Sequence, residues 1–199
     1  MLASGQEPAY KTNASCTPHL FAELHLQHPN THPPHSQTNT HTKMSYTLRY
    51  FPIRTRAETC RALLSYSGAP WENVHPEWPA EKHNQPFGKM PVLIERSEDG
   101  SEFVLSDSVA IEKYLATKYG LAVTGDARAV AHQDELRNQL RDIYELIVLY
   151  MFGHEDVRPD IMDKFNTLAK ALVRFHEEFL KKNGSNGHYF GKKTTYVDI

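Results

Sequence analysis

The sequence predicts an α/β domain followed by an all-helical region, with a disordered stretch ahead of both. Three observations carry that prediction. Short β-branched and aromatic runs alternate with helical periodicity as far as Tyr119. From Gly125 onward no strand pattern appears, and two long amphipathic stretches take its place. Residues 1–43 hold six of the twelve histidines, five prolines and no arginine, and past Leu26 they show no apolar periodicity. Such a segment buries too little surface to offset the entropy of ordering it.

Each element follows from local chemistry. Tyr46 to Phe51 alternates and is aromatic, which reads as a strand that Pro52 ends. Thr55 is placed to cap a helix running to Ser67, with Ala57, Cys60, Leu63 and Leu64 on one face. Gly68-Ala69-Pro70 stops that helix, and Trp71 to Val74 forms a second strand. Residues 75–88, with Pro76, Pro79 and Pro86, read as a long irregular loop. Pro91 to Glu95 is a third strand, Glu98-Asp99-Gly100-Ser101 a hairpin turn and Phe103 to Leu105 a fourth strand. Ser108 to Tyr119 closes the domain as a helix with Val109, Ile111, Tyr114 and Leu115 at helical spacing. The order βαβ then ββα gives a four-stranded mixed sheet covered by helices.

Beyond it, Leu136, Leu140, Ile143, Ile147 and Met151 recur at steps of four, three, four and four. Ile161, Phe165, Leu168, Leu172, Phe175 and Phe179 repeat the pattern, so two long helices are expected, joined near Gly153 to Pro159. Thr195 with Asp198 resembles a capping box and is expected to start a further helix. Two amphipathic helices without a third partner leave apolar surface uncovered, so the helical region is expected to be truncated. The domain boundaries expected from this pass are a tail over 1–44, an α/β domain over 45–122 and a helical domain over 124–199.

Composition narrows the function classes. Charged residues make up 23% and hydrophobic ones 40%, as in a soluble globular protein. A net charge of -2 gives no reason to expect nucleic acid or an anionic membrane as partner. No run of about 18 apolar residues is present to span a bilayer. The two cysteines are Cys16, in the expected tail, and Cys60, in a helix. That pairing makes a structural disulfide a poor expectation and a reducing, cytoplasmic setting the better one. The tail lacks the basic start and continuous apolar core of a signal peptide. Its histidines are irregularly spaced and are read as unstructured rather than as a metal site.

The stretch from Gln85 to Ile94 carries the first chemical hint. Pro91 stands directly before an apolar, β-branched run, where a cis peptide would leave the Met90 backbone in an open loop. Such a backbone edge pairs with an extended, peptide-like ligand. Ser108 opens a helix, whose free N–H groups and dipole favour an anion. Side by side, these make a receptor for a ligand with both a peptide backbone and a carboxylate.

Four motifs, in order and at the right intervals, sharpen that receptor. They are Leu48-Arg49-Tyr50-Phe51-Pro52-Ile53-Arg54-Thr55-Arg56-Ala57-Glu58, then Trp78-Pro79, then Pro86-Phe87-Gly88-Lys89-Met90-Pro91, then Asp107-Ser108-Val109-Ala110-Ile111. Together they resemble the glutathione transferases, in particular the sigma-like group that includes haematopoietic-type prostaglandin D synthases and S-crystallins. The resemblance runs from about Tyr46 to Ile199. It implies a thioredoxin-like first domain, an all-helical second domain, a homodimer and a cis bond before Pro91.

It also implies roles. Glutathione is the cosubstrate, with no metal, and an electrophilic small molecule is the second partner. Tyr50 matches the catalytic tyrosine that donates a hydrogen bond to the glutathione sulfur. A free thiol has a pKa near 8.5, so its anion needs such help at neutral pH. Arg56 fixes the active-site loop and adds positive field, and Phe51 and Gly88 line the same site. Met90, opened by Pro91, pairs with the cysteinyl part. Ser108 binds the γ-glutamyl carboxylate. Trp78, Lys82 and Lys89 take the glycyl end, where an indole N–H and ammonium groups suit a carboxylate. Two departures stand out. Asp107 replaces the group's usual Gln; it could pair with the glutamyl ammonium but also lies near the glutamyl carboxylate. Where prostaglandin synthases carry an acidic cluster, this chain reads Asn138, Arg141 and Asp142. Cys60 is expected to be a core thiol. The leading expectation is glutathione conjugation to electrophiles, in detoxification. A noncatalytic glutathione-binding or structural protein and a glutathione-dependent isomerase are the alternatives.

Overall fold

The structure is a computed structural model that describes residues 43–199. The expectations for the tail before Lys43, Cys16 included, lie outside the described residues. Four strands form one mixed sheet: β1 (Ser45–Arg49), β2 (Trp71–Val74), β3 (Val92–Arg96) and β4 (Glu102–Ser106). Their spatial order is β2-β1-β3-β4. β1 runs parallel to β2 and antiparallel to β3, and β3 runs antiparallel to β4. This is the expected βαβ-ββα sheet, with α1 (Glu58–Ser67) as the crossover and α2 (Ser108–Lys118) after the hairpin. The αL conformation of Gly68, at φ 67°, ends α1 at no steric cost. Tyr46, Leu48 and Leu93 from the sheet meet Cys60, Leu63, Leu64, Ile111 and Leu115 from the two helices in one core.

The register positions the site. Arg49 pairs with Val92, and Val92 pairs with Ser106 on its other side. Arg49 also lies opposite Val74. Tyr50, His75, Pro91 and Asp107 each adjoin one of these four residues in sequence, so four loops far apart in the chain gather at one end of the sheet.

Two long helices follow, α3 (Ala127–Phe152) and α4 (Arg158–Lys182), joined through Gly153 and a short 3₁₀ turn. The carboxylate of Asp126 caps α3 by accepting the Arg128 N–H at 3.0 Å. The periodic residues are only partly covered. Leu136 and Ile161 are buried, whereas Leu168 and Phe175 are exposed, as are Leu149 and Phe152 off the periodic stripe of α3. No described helix is long and apolar enough to cross a membrane.

Two expectations are corrected. Thr55 does not cap α1, which begins at Glu58 after Ala57 with no side-chain cap. Its hydroxyl is engaged by Tyr50 instead. No helix begins at Thr195 within the chain. The Asp198 carboxylate does accept the Thr195 N–H at 2.6 Å and its hydroxyl at 2.8 Å, so the reach-back half of the capping box forms around a turn.

Candidate active site

Tyr50 is pinned from several directions. Its N–H donates to the Val74 carbonyl at 3.0 Å, and its own carbonyl accepts from His75 Nδ1 at 2.7 Å. The guanidinium of Arg61 lies 5.7 Å from the ring centroid, and the edge of Phe51 packs at 5.4 Å. The residue is 4% exposed. Its hydroxyl lies 2.7 Å from the Thr55 hydroxyl.

The loop after β1 is held mainly by Arg61. One of its nitrogens, Nη1, donates to the Ile53 carbonyl and the other, Nη2, to the Phe51 carbonyl, both at 3.0 Å; Nη1 also pairs with Glu58. Arg56, expected to fix this loop, instead reaches α3 and pairs with Glu145 at 2.6 Å. Arg54 pairs with Glu58 on the surface.

Aromatic contacts extend the cluster from Tyr50 toward the next loop. Phe51 packs edge-on against Trp78 at 5.4 Å, and Lys82 Nζ lies 5.9 Å from the Trp78 ring centroid. Gly88, at φ 57°, lies where a Cβ would sit 3.6 Å from Lys82 Cε. Tyr50, Phe51, Trp78, Lys82 and Gly88 are therefore linked side by side. Lys89 is exposed on the same loop. The Met90–Pro91 peptide is cis, as is Trp78–Pro79. β3 starts only at Val92, and among the described residues none hydrogen-bonds the Met90 N–H or carbonyl.

Ser108 opens α2 as expected, and the residue before it supplies the cap. Asp107, not Ser108, is the N-cap. Its Oδ1 accepts the N–H groups of Val109 at 3.0 Å and Ala110 at 3.2 Å. It does so at φ 83° and ψ 127°, a strained backbone outside the left-handed helical well. Ser108 is 6% exposed, and its carbonyl lies 3.7 Å from Cys60 Sγ. Burial pushes the Cys60 thiol well above its ordinary range, which makes it an inert core thiol.

Sequence reasoning missed Thr55, Arg61, His75, Tyr144 and Glu145. Tyr144 is half-buried on α3, and Arg137 lies 6.0 Å from its ring centroid. Burial raises its phenol, Arg137 opposes that, and Glu112 and Tyr50 are near enough to add to it. His75 and Glu145 have partners 25 and 89 residues away, and the nearer partners of Thr55 and Arg61 are not marked by their spacing, because other polar residues of the same loop fit equally well. Asn138, Arg141 and Asp142 are exposed on α3, and no three His, Cys, Asp or Glu residues cluster as a metal site among the described residues.

Comparison with known proteins agrees with this fold. Residues 46–117 match the family model of the glutathione S-transferase N-terminal domain. The chain is 35% identical over 162 residues to probable glutathione S-transferase 6 of Caenorhabditis elegans, covering 77% of this chain and 75% of that one. It is 33% identical over 164 residues to the hematopoietic prostaglandin D synthase of Gallus gallus, covering 78% and 75%. Among solved structures, the monomeric glutathione S-transferase Na-GST-3 of Necator americanus superposes with a TM-score of 0.63 at 28% identity, covering 77% and 75%. The chain belongs to the glutathione S-transferase family.

Proposed function

We propose that this chain conjugates the glutathione thiolate to electrophilic small molecules, with Tyr50 as the group that stabilises the thiolate. The observation that carries this reading is the hydroxyl of Tyr50, a buried residue held at the end of the sheet where the open Met90 backbone also lies. A phenol placed there donates to a sulfur anion. The free Met90 N–H and carbonyl suit the cysteinyl amide, as in strand addition. Trp78, Lys82 and Lys89 suit the glycyl carboxylate. At the other end, Ser108 and the N-terminus of α2 are assigned the γ-glutamyl carboxylate. Asp107 already occupies part of that terminus, so it is assigned the γ-glutamyl ammonium.

The same reading divides the described chain into a glutathione-binding domain over 45–122 and a helical domain over 124–199. It makes the protein a homodimer, which the exposed apolar side chains of α3 and α4 support. It sets the protein in the reducing cytoplasm, in keeping with the free thiol of Cys60. The likeness to a prostaglandin D synthase keeps glutathione-dependent isomerisation as a second reading. Among Asn138, Arg141 and Asp142 only the last is acidic, which weighs against it.

The test is the rate of conjugation to a chlorinated nitrobenzene by the wild type and Tyr50→Phe. A hydrogen bond to a charged group contributes about 1.5–3 kcal/mol, so the variant is expected to lose about 10- to 100-fold. Equal rates would remove Tyr50 from the mechanism. Retention on immobilised glutathione without turnover by the wild type would favour a noncatalytic binding protein.

A further inference from the structure

We infer that Thr55 is a positioning residue for thiolate stabilisation, acting through the Tyr50 hydroxyl; this rests on the reading of Tyr50 above. The two hydroxyl oxygens lie 2.7 Å apart, a good O–H···O distance. Neither group has freedom to drift. Tyr50 is buried and anchored through its backbone to Val74 and His75. The Thr55 carbonyl accepts the Glu58 N–H at 3.0 Å, which fixes the backbone carrying its hydroxyl. Thr55 is thus spared from capping α1 and turned toward the phenol.

The direction of the bond follows from counting protons. Each hydroxyl has one hydrogen to give and lone pairs to receive. When glutathione binds and its thiol loses a proton to solvent, the Tyr50 hydrogen is committed to the sulfur. The Tyr50 oxygen is then an acceptor, and the Thr55 hydroxyl, at 2.7 Å, is placed to donate to it. The result is a chain, Thr55 O–H to Tyr50 O–H to sulfur, in which the first bond polarises the second. No proton leaves either side chain. The effect falls on the acidity of the bound thiol rather than on the affinity for glutathione.

The test is a titration of the ultraviolet thiolate absorbance of bound glutathione, using the full chain, four single variants and one double variant. Thr55→Val keeps the shape and removes the hydroxyl, Thr55→Ala is a second deletion should valine disturb folding, Thr55→Ser restores the donor, and Tyr50→Phe is the control. Without the Thr55 hydroxyl, the bound thiol pKa is expected to rise by about half a unit, with about threefold slower turnover at neutral pH and an unchanged KM for glutathione. Thr55→Ser is expected to titrate like the wild type. In a Tyr50→Phe background, deleting the Thr55 hydroxyl is expected to have no further effect. A wild-type titration in both deletion variants, with a clear shift in Tyr50→Phe, would overturn the role of Thr55 and leave Tyr50 standing. No shift in Tyr50→Phe would overturn the reading of Tyr50 and this inference with it. A shift that persists in the Tyr50→Phe background would also overturn the relay, because Thr55 would then reach the sulfur directly.

Discussion

At the residue scale, the chemistry depends on which oxygen meets which hydrogen. Asp107 shows how closely two readings can compete. Asp and Ser are both good N-cap residues, so adjacent Asp107 and Ser108 are nearly equivalent by type. The structure chooses Asp107, whose carboxylate takes two N–H groups, while Ser108 is the first residue of α2 and is buried. The cap and the positive φ together predict the outcome of substitution. Asp107→Asn keeps the acceptor that caps α2 and has the same shape, so its stability should stay within a few tenths of a kcal/mol. Asp107→Ala loses the cap and strains the backbone, and should cost about 1–2 kcal/mol in denaturant unfolding. Equal midpoints for the alanine variant and the wild type would show that the cap contributes nothing.

At the element scale, most of the architecture was legible in local pattern. β2 matches its predicted bounds, and β1, β3, β4 and α2 match within a residue or two, because alternation, glycine stops and proline breaks are short-range signals. The open Met90 loop was legible for the same reason, since Pro91 announces it. The contacts that hold the loop after β1 were not. Arg54, Arg56 and Arg61 are all basic and close in sequence, and nothing in their spacing says which folds back. The structure assigns the loop carbonyls to Arg61 and sends Arg56 to Glu145, 89 residues away. The Tyr50–Thr55 pair escaped because Thr55 fits a helix cap equally well. Long-range partners are set by how α1 and α3 pack, which no local window contains.

At the scale of the whole molecule, one contact ties the α/β part to the helices through the interior. Glu112 on α2 and Arg137 on α3 are 0% and 4% exposed, and the Arg137 fork meets both carboxylate oxygens. Burial works to keep the Glu112 carboxyl above its ordinary range, and the guanidinium opposes it. A buried pair of this kind adds little net stability, but breaking it strands a charge. Arg137→Met alone should therefore destabilise by about 3–5 kcal/mol. The double variant Glu112→Leu/Arg137→Met should recover most of that loss. Additive losses in the double variant would show that the two charges act independently. The exposed apolar residues of α3 and α4 bear on the same scale. They leave this part of the fold less well covered than the core of the α/β part.

The central claim is that Tyr50, Met90 and the Trp78–Lys82 loop form one glutathione site. A crystal structure of the chain with glutathione tests it most directly. The account predicts the sulfur within about 3.5 Å of the Tyr50 hydroxyl, the cysteinyl amide paired with the Met90 backbone and the glycyl carboxylate against Trp78 and Lys82. Glutathione bound elsewhere, or bound here with its sulfur turned away from Tyr50, would contradict it.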